Sequence, residues 1–323
     1  MPTHYIEVSK ANSFRWIPVD PPKDARHNFT HIDLGWFKET ILKFETQTVY
    51  AAKFQQNDYA GLQVRSTLGP VYIKVLNCQG QQVYDFAVPT VATSILGQDW
   101  QTYEKLINFS SLLANDTQPL PEGEYYFLMI AGAGNSIATL ITEPVQIKQR
   151  WPETALLEFS HDVNDYDVAW ETGIKMHVRV EAIITEMQPK RLRSSYEDQT
   201  QNITTLRSVP YRKFKLKVGG RRGVPPYMAE KINFALSCRN LVIEGLAMVP
   251  DEGAEIEMQY TEGWPLPTLA IDMREAKNTY SSRILADGTN APAVAMIYNI
   301  DNWTYYGQFT NTGTGPVRIV KTI

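Results

Sequence analysis

Two cysteines, Cys78 and Cys238, are all that the 323 residues contain. Their wide separation offers neither a disulfide framework nor a metal-ligand spacing. The expectation is a pair of buried free thiols in a chain that is made in the cytoplasm and folds without oxidation. Long hydrophobic runs are missing as well: none approaches the roughly 18 residues of a membrane-spanning helix. The N-terminus "MPTHYIEVSKANSFRW" also lacks the apolar stretch of a signal peptide, so membrane insertion is not expected. Charge of one sign does not dominate, with 31 Lys+Arg against 35 Asp+Glu and a net charge of -4. Interspersed signs at that balance argue against a dedicated nucleic-acid binder, which would show a concentrated basic footprint. Catalytic signatures are absent too: there is no G-x-S-x-G elbow, no P-loop and no cysteine flanked as a nucleophile. A triad assembled only in space leaves no such trace and stays open.

What the chain does have is aromatic residues, 17 Tyr, 7 Trp and 12 Phe, which suit a pleated, half-buried surface. From about Gln47 the apolar positions keep the strand period. Short runs such as "GLQVRS", "PVYIKVLN", "QQVYDFAV" and "EYYFLMIA" are separated by turn-rich "NCQG", "PEGE" and "GAGN", the rhythm of a sandwich or barrel. "ILGQDWQTYEKLINFSSLLA" does not fit that rhythm and reads as a longer amphipathic or loop insertion. After "KQRWPET" the pattern restarts, which sets three segments: an N-terminal arm at 1–46, a first β-sandwich domain at 47–150, and a second β domain with a helical insertion at 151–323.

The clearest strand follows. Ile174, Met176, Val178, Val180, Ala182 and Ile184 fall on one face, opposite Lys175, His177, Arg179 and Glu181, so one side is expected to be buried. In "GVPPYMAEKINFALSC" prolines open the first turn and Met228, Ile232 and Leu236 recur at i, i+4 and i+8. This predicts a short amphipathic helix over about 225–237, packed on the second β domain of a mainly β fold with two sandwich-like domains.

Four groups of residues invite a chemical reading. "GAGNSI" has two glycines of a dinucleotide fingerprint, but the third is absent and a strand follows, so it reads as a hairpin turn. "HDVNDYDVAWE" resembles a calcium loop until position six from Asp162 proves to be Asp167 and position twelve Gly173; a solvated loop fits better, with a looser ion site still open. His27 and His31 lack the glutamate of a zinc-protease helix. Glu197 and Asp198, adjacent on a strand, would point to opposite faces and cannot make a paired-carboxylate site alone. No catalytic, metal or cofactor residue is therefore assigned.

Two surfaces remain. "RLRSSYEDQTQNITTLRSVPYRKFKLKVGG" runs a polar connection into the lysine row Lys213, Lys215 and Lys217. That row is either a solvated charged edge or a contact for an anionic partner. "EGWPLP" and "DNWTYYGQF" present Trp264, Trp303, Tyr305 and Tyr306, which either pack in a core or stack on sugars.

"YAAKFQQNDYAGLQVRSTLGPVYIKVLNCQG" resembles a recurring Y-x-x-K-x-Q-x-x-D-x-x-x-L-Q segment in structural proteins of Bacteroidetes phages and prophages. "HVRVEAII", "YEDQTQNITTLRSVPYRKFKLKVGGRRGVPPYMAEKINFALSC" and "NLVIEG" resemble the same group in the same order, over roughly residues 37–245. The resemblance implies a virion protein of tail or baseplate, similar in kind to distal tail proteins that form rings between the tail tube and the receptor-binding apparatus. It implies a homo-oligomer in contact with other virion proteins, assembled in the bacterial host cytoplasm, with no cofactor and no catalytic residue. Tyr196, Glu197, Asp198 and Gln199 would then be interface or loop-locking residues, and the lysine row would face an acidic neighbour or a lumen carrying DNA. The alternative is a carbohydrate-binding β-sandwich module using the four aromatics, and a tail tip meeting a cell-surface glycan would combine the two.

Overall fold

Alternating apolar residues drive nearly every element of this mainly β fold. The computed structural model of the chain describes residues 6–19, 50–92, 100–113, 117–133, 136–164, 167–197, 199, 201, 203–220, 223–260 and 266–276. In the first half these form β1 (Ile6–Val8), β2 (Trp16–Val19), β3 (Ala52–Gln55), β4 (Tyr59–Ser66), β5 (Val71–Asn77), β6 (Gln82–Val88), β7 (Thr90–Val91), β8 (Gln101–Asn108), β9 (Gly123–Ala133), β10 (Ser136–Thr142) and β11 (Val145–Lys148). One sheet has the order β1-β4-β8-β7. In the other, β9 pairs with β5, β10 and β11; β6 extends from β5, β2 from β10, and β3 joins β11 in parallel. Leu62 and Ile107 of the first sheet meet Ile73, Phe127 and Met129 of the second in a shared core where each is fully buried. That is a sandwich, with every second side chain turned inward.

Two local expectations resolve here. "GAGNSI" is the β9–β10 hairpin, with Gly132 opposite Ile137. The segment that does not fit the strand rhythm contains β8, which pairs with β4 along its whole length. Its apolar positions are broken by exposed Leu106, which blurs the period.

The second half contains β12 (Thr154–Ser160), β13 (Met176–Glu197), β14 (Ile203–Val218), helix α1 (Pro226–Ser237), β15 (Asn240–Ile243), β16 (Leu246–Pro250), β17 (Glu257–Gln259) and β18 (Thr268–Glu275). The order β12-β15-β16-β18-β14-β13 is antiparallel throughout, and β13 pairs back onto β12. The strands therefore close on themselves, which removes the edges an open sheet would expose. Leu157 and Phe159 of β12, Val178 and Val180 of β13, and Leu216 of β14 point into the enclosed core. Helix α1 lies where the proline start and apolar spacing place it, with Met228, Ile232 and Leu236 joining that core. Burying each such side chain contributes roughly 1.5–3 kcal/mol.

The two cores lie in one compact unit, Met1–Asn278; a second unit, Thr279–Ile323, lies outside the described residues. Part of the segment expected as an arm is built into this unit. Ala11 joins the core of the second half and Phe14 the core of the first. Ser13 Oγ accepts the backbone N–H of Gly61 at 2.8 Å and that of His177 at 2.9 Å, pinning β4 to β13. Gly61 is required there, because a Cβ would stand 2.3 Å from the Lys175 carbonyl oxygen.

One thiol differs from expectation. Cys238 is buried at the end of α1, where burial pushes its pKa up to about 12. Cys78 is exposed in the turn after β5; a turn tip offers no core to enter.

Candidate functional site

The polar face of the first half of β13 is not a solvated face. His177 and Arg179 are buried, because that face packs against the first half of the chain. Arg179 donates from Nε to Asp58 Oδ2 at 2.7 Å and from Nη2 to Oδ1 at 2.8 Å, a bidentate pair with both side chains 5% exposed. Burial opposes the charge on Arg179, but Asp58 and Glu244 outweigh it and raise its pKa. Two residues on, Glu181 pairs with Lys53, and two residues back, His177 lies 6.0 Å from the Tyr59 ring. Burial lowers the His177 pKa although Glu158, 3.4 Å from its Nε2, opposes that shift.

These contacts explain the segment Y-x-x-K-x-Q-x-x-D-x-x-x-L-Q in physical terms. Lys53 holds Glu181 and Asp58 holds Arg179. Asp58 Oδ2 also accepts the Gln55 N–H at 2.6 Å, Leu62 is core, and Gln63 bridges Asn12 and Ala169. "HVRVEAII" supplies the answering residues, and both segments are consumed in holding the halves together.

A second buried polar group sits at the same junction. Tyr227 of α1 donates its hydroxyl to Glu143 Oε2, while Arg15 lies 3.8 Å from the Tyr227 ring centre. Lys231 donates to the carbonyls of Asn12 at 2.6 Å and Ser13 at 3.2 Å. Burial dominates at both ionisable ends. It raises Glu143 to about 7 against the pull of Lys231, Tyr227 and Arg15, and lowers Lys231 to about 8 against Glu143. Tyr50, the first residue of the motif, has its pKa raised by burial and then by the charge of Glu143. Spacing gave no signal for Glu143 or Lys231; the one available hint was a lysine one position from Ile232 on an apolar helix.

The other distinct feature is where β13 and β14 leave the body. Only Lys213–Val218 of β14 pairs with β18, and only Met176–Glu181 of β13 pairs with β12. From Pro189↔Arg212 to Glu197↔Ile203 the two strands run as nine consecutive pairs, about 30 Å at strand rise, with no third strand among the described residues. Register shifts at Thr185/Gln188 and Ser194/Ser195 re-aim the ribbon along its length. Both faces meet solvent: Met187, Leu192, Tyr196 and Ile203 are all exposed, Ile203 to 62%.

The expected interface residues divide between the ends of this ribbon. Tyr196 is 59% exposed near the tip, Glu197 pairs with Ile203 in the ladder, and Gln199 is exposed in the turn. Asp198 lies outside the described residues, as do Trp264, Trp303, Tyr305 and Tyr306. The lysines lie at the root. Lys213 reaches Asp272 at 2.8 Å and Asp251 at 3.1 Å, hydrogen bonds that raise its pKa, and Lys215 reaches Glu257 at 3.5 Å. Lys217 is exposed and also has an interaction partner. Two of the three lysines thus have acids within the chain.

No group of three or more His, Cys, Asp or Glu side chains able to hold a metal occurs among the described residues. None of the described helices is long and apolar enough to cross a membrane. No protein family, curated protein or solved structure matches the chain.

Proposed function

We propose that this chain is a virion structural protein, a ring component of tail or baseplate in the manner of distal tail proteins, joining the tail tube to the host-recognition apparatus. It works by shape and contact, without a cofactor and without turnover, and is assembled in the bacterial host cytoplasm into the virion. The supporting observation is the β13–β14 ribbon. A two-stranded hairpin standing alone in water is marginally stable at best, and this one exposes Leu192, Tyr196 and Ile203 along its length. Such an element gains from being covered by a neighbour. A ring subunit presents two different surfaces to its neighbours, and a projecting ribbon on a rigid closed barrel suits that role. The buried ion pairs favour the same reading, since they bind the halves into a body that can carry the projection.

The experiment is electron microscopy and light scattering of the purified protein, with mass spectrometry of purified phage particles. Rings or larger assemblies, and the chain in the particle, are expected. A strict monomer at every concentration, absent from particles, overturns the proposal.

A further inference from the structure

The ribbon differs in charge from the body that carries it. Between residues 187 and 212 the sequence has five cations (Lys190, Arg191, Arg193, Arg207 and Arg212) and two acids (Glu197 and Asp198). Taking these from the chain's 31 cations and 35 acids leaves 26 and 33, so the rest of the molecule is distinctly acidic. Along the shaft, Lys190 and Arg191 are exposed without an ion partner among the described residues, and Arg193 meets only the Thr205 hydroxyl, at 2.6 Å. The pleat puts Lys190 and Leu192 on one face of the ribbon together with their partners Tyr211 and Val209, and Arg191 and Arg193 on the other.

Chemistry that matches this face lies in the described body at residues 251–260, "DEGAEIEMQY". Asp251 and Glu257 are engaged by Lys213 and Lys215 of the ribbon root. Glu252 and Glu255 are exposed with no partner among the described residues, beside exposed Met258 and 68%-exposed Tyr260. Unmatched acids beside exposed apolar side chains are the complement of a ribbon face on which unmatched Lys190 stands beside exposed Leu192. Within one chain no ion pair joins Glu252 or Glu255 to Lys190 or Arg191 among the described residues.

Resting on the assembly reading, we infer that the partner of the ribbon is a second copy of this chain, the basic shaft of one copy lying on the acidic 251–260 segment of the next. Leu192 covers Met258 and Tyr260, and the charges fix the register. Electrostatic complementarity of this kind sets specificity and association rate, and it weakens as salt screens it.

The test uses the full chain in two variants, Lys190→Glu with Arg191→Glu, and Glu252→Lys with Glu255→Lys. All four positions are exposed, so circular dichroism and melting temperature should match the parent. Each variant alone should self-associate at least about tenfold more weakly in sedimentation velocity. An equimolar mixture of the two should recover assembly, since the acidic shaft of one then faces the basic segment of the other. Combining all four changes in one chain should recover it too. Unchanged assembly in both variants overturns this contact and leaves the ring reading standing. Assembly lost in both but recovered neither by mixing nor by the fourfold variant also overturns it. If the shaft variant alone loses affinity, and for duplex DNA, the partner is nucleic acid and the inference fails. A parent that is strictly monomeric and absent from particles removes the ring reading and this contact together.

Discussion

Asp58 keeps a buried charge because Arg179 answers it with two hydrogen bonds. Replacing Arg179 with Met keeps the bulk but leaves that carboxylate unpaired, which costs about 3–5 kcal/mol. The expected readout is a large fall in the urea midpoint; a fall worth less than about 1 kcal/mol would mean the pair is solvated. Glu143 carries a pH dependence whose sign is fixed. Its pKa in the folded chain, about 7, lies above its ordinary 4.5, so its contribution is full below pH 4.5 and is lost as pH rises through 7. Glu143→Gln retains an acceptor for Tyr227 and removes the titration. Its stability should fall less than the parent's between pH 4.5 and 7, by on the order of 1–3 kcal/mol, in urea titrations at the two ends; parallel curves would contradict the burial of that carboxyl. Lys231 runs the other way, its contribution lost as pH falls from 10.5 through about 8. None of these pairs was legible in the sequence. Arg179 and Asp58 are 121 residues apart and Lys53 and Glu181 128, and a polar residue alternating with apolar ones reads the same whether it faces water or an ion partner.

Helix α1 and the inward face of β13 were legible because both obey a local period, 3.6 in one and 2 in the other. Barrel closure was not, since it depends on β12 meeting β13 and β15 at once, a matter of register between distant segments. Nor was the free-standing ribbon: the sequence marks "RLRSSYEDQTQNITTLRSVPYRKFKLKVGG" as unusual, but strand length alone does not reveal that flanking strands stop short. At this scale the ribbon should be dispensable for folding. Replacing residues 188–212 with a short turn leaves every barrel pairing of β14 with β18 in place. The shortened chain should melt within a few degrees of the parent; a collapse of the melt would make the ribbon part of the core rather than a projection. The N-terminal segment is the opposite case. Phe14→Ala empties a site packed against Phe54, Phe109 and Phe127, and should cost about 3–5 kcal/mol.

Among the described residues, a closed barrel and a sandwich are joined by buried ion pairs and by a segment that enters both cores, and the β13–β14 ribbon projects from the barrel. The rigid part holds the ribbon's root, with Lys213 and Lys215 fastened to Asp251, Asp272 and Glu257, while the shaft keeps unmatched cations and exposed apolar side chains. That division into a fixed root and an unsatisfied shaft is what a subunit of a larger structure needs, and it is the reason a structural role is favoured over chemistry at any single residue. The most direct test is sedimentation velocity of the full chain and of the chain lacking residues 188–212, over a concentration series at low salt. The account predicts assemblies that grow with concentration for the full chain and a folded monomer throughout for the shortened one. Identical sedimentation of the two would contradict it.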